Sequence, residues 1–226
     1  MQYFGGKVRL ARELSRVINE YQVDTYHEPF CGMFSVGSLV TVPTRSGADT
    51  QEDLILLLNA VRDGWVGPEE ITEEDYALLK VDDPSPLRAF AGFGCSNSGK
   101  FFGGYAREST GRNFAANARS SLLKLAPNIQ DVEFWYESYE NYEGAADLIY
   151  CDPPYVKTTG FTVGMFDTKA FWLWVREQSR RSIVLVSEYV APDWATVIWE
   201  KAVRTDMNSK KGGKIPRVEK LFTVGI

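Results

Sequence analysis

Three short strand-like runs in this chain stop at an acid. The run 23–30, "VDTYHEPF", reaches Glu28 ahead of Pro29. The run 44–49, "TRSGAD", ends at Asp49, and the apolar run 148–151 ends at Asp152 ahead of Pro153 and Pro154. Around them the pattern alternates. Leu10, Leu14, Val17, Ile18 and Tyr21 share one face of a helix predicted over 8–21, and 51–65, "QEDLILLLNAVRDGW", is a second helix. A helix turn is expected over 35–40 and a helix over 169–180. Further strands are expected over 132–135, 182–187, 196–199 and 218–224, with 201–217 as a loop between the last two. Strands alternating with helices predict an α/β fold with a largely parallel sheet. Ligands of such folds sit beyond the carboxyl ends of the strands, so acids there place a polar site along one edge.

Residues 66–128 break the alternation. They are acidic first, with seven acids and one lysine over 69–83, then basic and rich in Gly, Ser and aromatics. From 86 to 125 six basic residues face one acid, a local excess hidden inside a net charge of −5. The expected organisation is a core of 1–65 and 129–226 with 66–128 inserted. No apolar run approaches the ~20 residues of a membrane span. The N-terminus has no signal-peptide pattern. Three widely spaced cysteines suggest a reducing cytoplasm, and one histidine with no Cys/His cluster argues against a metal.

Asp152-Pro153-Pro154-Tyr155 cannot continue a strand. Proline fixes its own φ and restricts the residue before it, so the stretch is a stiff extended bracket. A carboxylate and a carbonyl held together offer two acceptors to an –NH2 group, and the Tyr155 ring offers a face on which a base stacks, worth ~1–3 kcal/mol. The bracket suits an amine on an aromatic heterocycle.

The chain resembles the Dam-like DNA adenine N6-methyltransferases, in particular short versions of phage type. The resemblance rests on "YFGGK" (3–7), "HEPFCGMFSVG" (27–37), "ADTQEDLI" (48–55), "GCSNSGKFFGGYAR" (94–107), "IYCDPPY" (149–155) and "VEKLF" (218–222), in the family's order. It implies a Rossmann-like sheet with a small, mainly helical DNA-recognition insert, S-adenosylmethionine as methyl donor, and adenine in double-stranded DNA as acceptor. It assigns catalysis to Asp152, Pro153, Pro154 and Tyr155. Around the cofactor it places Tyr3, Phe4, Gly5, Gly6, Lys7, Glu28, Pro29, Phe30, Cys31, Gly32, Ser35 and Asp152, with Asp49 on the ribose hydroxyls and Ser138 and Tyr139 near the cofactor's adenine. Lys100, Tyr105, Arg107, Arg112, Arg119 and Lys124 are the expected DNA contacts. A monomer acting in a bacterial cytoplasm, encoded by host or phage, is expected, in a role open between phage protection, regulation and restriction–modification.

The chemistry follows from the amine. Its lone pair is delocalised into the ring, and hydrogen bonds from N6 to Asp152 and the Pro153 carbonyl favour a pyramidal nitrogen that frees it. The protein then aligns an in-line displacement, on a base flipped out of the duplex. Transfer to cytosine N4 or another planar amine uses the same bracket. One position departs from the family: Phe34 stands where its cofactor loop has a second glycine. Either the ring turns into the core, with Gly37 giving room, or cofactor binding is weakened and the chain is a non-catalytic DNA-binding relative. The first is expected, because the other motifs are intact.

Overall fold

The computed structural model describes residues 6–107, 111–154, 166–204 and 216–224. Seven strands form one sheet: β1 Thr25–Glu28, β2 Thr44–Asp49, β3 Val132–Tyr136, β4 Leu148–Cys151, β5 Ile183–Glu188, β6 Thr196–Arg204 and β7 Pro216–Val224. Their order is β3-β2-β1-β4-β5-β7-β6. All pairs are parallel except those of β7, which runs antiparallel to both β5 and β6. This is a Rossmann-like sheet with one reversed strand. The chain direction across the sheet reverses between β1 and β4, and open α/β sheets bind their ligands in the crevice at such a point.

The helices are α1 Ala11–Ile18, α2 Glu52–Arg62, α3 Glu73–Leu79, α4 Pro86–Ala89, α5 Phe114–Leu125 and α6 Thr168–Gln178. Several starts are written locally. Thr72 and Asp75 form a reciprocal capping box on α3, Ser85 caps α4 ahead of Pro86, Asn113 caps α5 and Asp167 caps α6. α1 is shorter than its periodicity predicts. It is preceded by a turn in which the Lys7 carbonyl accepts from the Leu10 and Ala11 amides.

One large core joins α1, α2, β1, β3 and β4 to the helices of 66–128. Leu54, Leu57 and Val61 of α2 pack in the same cluster as Phe90 and Leu122. A π-helical turn, Phe90–Gly94, follows α4. Arg88 fastens the two parts: its guanidinium lies 2.5 Å from the buried Asp53 carboxylate and over the rings of Phe101 and Phe102. A smaller cluster of Ile149, Cys151, Phe171, Val175, Val184 and Val186 lies between the sheet and α6.

The expected loop over 201–217 needs correction at both ends. β6 continues to Arg204 and β7 starts at Pro216, pairing Lys201 with Glu219, Ala202 with Val218, and Arg204 with Pro216. These residues lack an apolar alternation because Lys201, Ala202 and Val218 are exposed; the backbone ladder, with Val203 against the core, extends the strands. Lys210, Lys211 and Lys214, read as loop lysines, lie outside the described residues.

Candidate active site

Asp152 follows β4 directly, and Pro153 behind it is buried. The Asp152 carboxylate receives Lys7, whose Nζ is 3.0 Å from Oδ1. The same ammonium lies 3.3 Å from Oε2 of Glu219, on β7. Tyr189, just past β5, donates its hydroxyl to the other Glu219 oxygen at 2.7 Å. Burial pushes the Asp152 pKa up, and the Lys7 charge pulls against that. For Lys7, burial lowers the pKa, but the two carboxylates outweigh it and the direction is up. The chain's beginning, middle and end therefore meet at one buried ammonium.

Glu28 ends β1 beside this group. It accepts from the Tyr26 hydroxyl at 2.6 Å, and burial raises its pKa to about 8 despite that bond. Glu188, the last residue of β5, is raised to about 7 by burial. A fourth strand thus ends in an acid, one residue past the expected strand end at Ser187. His27 faces the opposite side of the sheet from Glu28. It stacks between Trp135 and Tyr142 at 5.3 and 4.2 Å, its Nδ1 is 2.9 Å from Ser46 Oγ, and burial lowers its pKa to about 3. It is a neutral packing element.

Asp49, at the end of β2, is held by backbone. The Gly32 and Gln51 amides donate to its two oxygens at 2.9 and 3.0 Å. Burial raises its pKa; the donors of Gly32, Gln51 and Thr50 oppose that rise. A carboxylate has about four lone-pair sites, so with three amides on Asp49 acceptor capacity is left for a hydroxyl. Gly32 itself has φ +49°, a backbone that glycine adopts without strain. The donor set therefore fits the ribose of a nucleoside-bearing cofactor. Phe34 also has positive φ, +53°, which costs a residue with a Cβ roughly 1–2 kcal/mol. Its ring is fully buried, edge-on to Phe134 at 5.0 Å. It occupies the room left by Gly37, where a Cβ would come within 2.3 Å of the ring. The ring is turned into the core and Gly37 makes the space.

The other expected cofactor residues spread along the same rim. Gly6 is exposed, Pro29 and Cys31 are buried, and Ser35 is half-buried. Burial pushes the Cys31 thiol well up, which suits packing rather than reactivity. Phe30 packs with Tyr139 at 5.1 Å and edge-on to Phe171 at 5.6 Å, and Ser138 caps the 3-10 turn that carries Tyr139. Tyr3, Phe4, Gly5 and Tyr155 lie outside the described residues.

The expected DNA contacts are less uniform. Lys100, Arg112 and Lys124 are exposed. Arg107 is paired with Glu73, and Arg119 donates to the Gly67 carbonyl at 2.9 Å and lies 3.7 Å from Glu69. The Tyr105 hydroxyl donates to the Ile71 carbonyl. The acidic stretch 69–83 thus folds back on the basic stretch that follows it and neutralises part of its excess. Among the described residues no group of three or more His, Cys, Asp or Glu is arranged to hold a metal, and no helix is long and apolar enough to cross a membrane.

Sequence reasoning did not single out Glu219, Glu188, Tyr189 or Tyr26. Glu219 had a readable signal, an acid at the same parity as Leu221 in a strand whose Leu221 is inward.

Residues 3–84 match the D12 class of N6 adenine-specific DNA methyltransferases, in agreement with the Dam-like resemblance. That match covers well under half of the chain. The chain is similar to the Type II methyltransferase M.FokI of Planomicrobium okeanokoites, with 23% identity over 192 residues that make up 71% of this chain and 29% of the relative. The chain thus spans less than a third of that relative's length. Among solved structures it is similar to the N-methyltransferase NodS of Bradyrhizobium japonicum, at 7% identity and TM-score 0.45 over 97% of this chain and 95% of that one. It is also similar to the magnesium protoporphyrin IX methyltransferase ChlM of Synechocystis with bound SAM, at 8% identity and TM-score 0.43 over 97% and 79%.

Proposed function

We propose that this chain transfers a methyl group from S-adenosylmethionine to N6 of adenine in double-stranded DNA. The observation that supports it most is the placement of Asp152: a carboxylate at the crevice of the sheet, half-buried and paired with a buried ammonium, followed by two prolines. The family match over the first third of the chain supports adenine as the base and DNA as the polymer.

When bound, the cofactor supplies an activated sulfonium methyl. The rest falls to the chain. Asp49 accepts from the ribose hydroxyls, Phe30 lies by the methionine part of the cofactor, and Ser138 and Tyr139 stand toward its adenine. Asp152 and the Pro153 carbonyl accept the two N–H bonds of a flipped adenine amine, freeing the nitrogen lone pair toward the methyl. Tyr155 stacks on the base, and Lys100, Arg112 and Lys124 contact phosphate, where flexible cations are at their most useful. Positioning and preorganised charge supply the rate, with no covalent intermediate.

The test is methylation of unmethylated duplex DNA by the purified chain, read by mass spectrometry of the nucleosides. N6-methyladenine that falls by at least 10²-fold in Asp152→Ala supports the assignment. N4-methylcytosine instead would keep the bracket and overturn the base. No methylated nucleoside, with no binding of S-adenosylmethionine, would overturn the reading as an enzyme.

A further inference from the structure

Two carboxylates share one buried ammonium beside the reacting position. Lys7 reaches Asp152 Oδ1 at 3.0 Å and Glu219 Oε2 at 3.3 Å, and Tyr189 fixes the remaining Glu219 oxygen at 2.7 Å. The Lys7 and Glu219 side chains are 7% and 10% exposed. The register of β5 with β7 sets Glu188 opposite Lys220, which delivers Tyr189 to the neighbouring Glu219. We propose that Glu219, held by Tyr189, is a positioning residue that divides the Lys7 ammonium between two carboxylates and so keeps Asp152 a strong acceptor for the substrate amine. This rests on the methyl-transfer reading above.

The argument is one of charge balance. A lone Lys7–Asp152 pair would be neutral, and the ammonium would satisfy the carboxylate that the substrate amine must engage. A second carboxylate takes a share of the ammonium away from Asp152. Stability does not explain such an arrangement, since buried charges are costly and a plain ion pair or apolar packing would serve as well. A carboxylate whose cation is shared is the stronger acceptor for a weakly acidic N–H. Other titratable groups face Asp152: Glu28 from β1, Tyr150 and Cys151 from β4, and Glu188 from the end of β5, and the Asp152 charge raises the pKa of each. Lys7 supplies the opposing cation.

The Asp152 carboxyl carbon, followed by 13C NMR across pH in the full chain and assigned by its loss in Asp152→Asn, reads this directly. In Glu219→Gln the Asp152 midpoint should move to lower pH, because one negative neighbour is gone. In Lys7→Met it should move to higher pH. Glu219→Asp, which keeps the charge, should restore the wild-type midpoint. In methylation assays Glu219→Gln should lower kcat about ten-fold, the size of one charge-assisted hydrogen bond, with KM for DNA little changed and the acid limb of the pH profile displaced downward. A general loosening of the fold would expose Asp152 and lower its midpoint in both variants, so shifts of the same sign overturn the proposal, as does an unmoved midpoint in Glu219→Gln. Should Glu219→Gln not fold, a midpoint in Lys7→Met that stays put or falls overturns it alone. A wild-type chain that methylates nothing overturns the methyl-transfer reading, while the NMR titration still decides the role of Glu219.

Discussion

Asp49 and Asp152 stand at the ends of two strands on the same rim, and both are half-buried, but they are held by different means. Asp49 is surrounded by amides of Gly32, Thr50 and Gln51, neutral donors drawn from its own turn and the neighbouring one. Asp152 is held by a charged side chain near the chain's start, itself steadied by a glutamate near its end. Neutral, short-range donors keep a carboxylate in place without neutralising it, which suits an acceptor for hydroxyls. A charged partner sets how basic the carboxylate is, which suits a group that must engage a reacting amine. The rim thus divides into a binding end and a reacting end.

The largest expected effect separates the two ends. Asp49→Asn should weaken binding of S-adenosylmethionine by roughly ten- to a hundred-fold, the cost of losing charge-assisted bonds of about 1.5–3 kcal/mol. Asp152→Asn should leave that binding within a few-fold while losing methyl transfer. Calorimetric titration of both variants measures it. Equal losses of affinity would erase the distinction and return Asp152 to the cofactor set.

A smaller effect concerns the loop between them. Phe34→Gly removes a fully buried ring, at about 3–5 kcal/mol for such truncations, and relieves roughly 1–2 kcal/mol of left-handed backbone strain. The net loss in urea unfolding should be about 2–3 kcal/mol. If the strain is also felt by the ligand, affinity for S-adenosylmethionine rises in the same variant. Unchanged affinity would show that the strain is confined to the fold.

The smallest effect is a slope. Folded Glu28 holds its proton up to about pH 8, whereas its ordinary pKa is 4.5. Over that window the folded state keeps a proton that the unfolded state has released, so stability falls as pH rises. Glu188 acts in the same sense up to about pH 7, and His27, held neutral down to about pH 3 from an ordinary 6.5, acts in the opposite sense at lower pH. The interval from pH 7 to 8 therefore reads Glu28. Urea titrations there should show a falling stability in the wild type and a flatter one in Glu28→Gln. Identical slopes would mean that Glu28 is ionised in the folded chain.

The strands that carry the rim were legible because their information is local. The bounds of β2 and β4 fall where the sequence places them, Thr44–Asp49 and Leu148–Cys151, since Pro43 and Asp49 bracket the one and Asp147 and Asp152 the other. The hairpin of β6 and β7 was read too short because exposed Lys201, Ala202 and Val218 carry no alternating pattern. The basic stretch of 86–125 was visible as charge, but its partners were not. Arg88 is taken by Asp53, Arg107 by Glu73 and Arg119 by Gly67 and Glu69.

The sequence by itself determined the alternation of strands and helices, the acids at the strand ends, the stiff Asp152-Pro153-Pro154 bracket and the family resemblance, because each of these resides in neighbouring residues. Only the tertiary structure decided which charges meet. It set Lys7 between Asp152 and Glu219, added Glu188 to the acidic rim, and used Gly37 to house Phe34. Coulomb and packing energies depend on distance in space, and the reversed strand β7 brings the end of the chain back to its beginning.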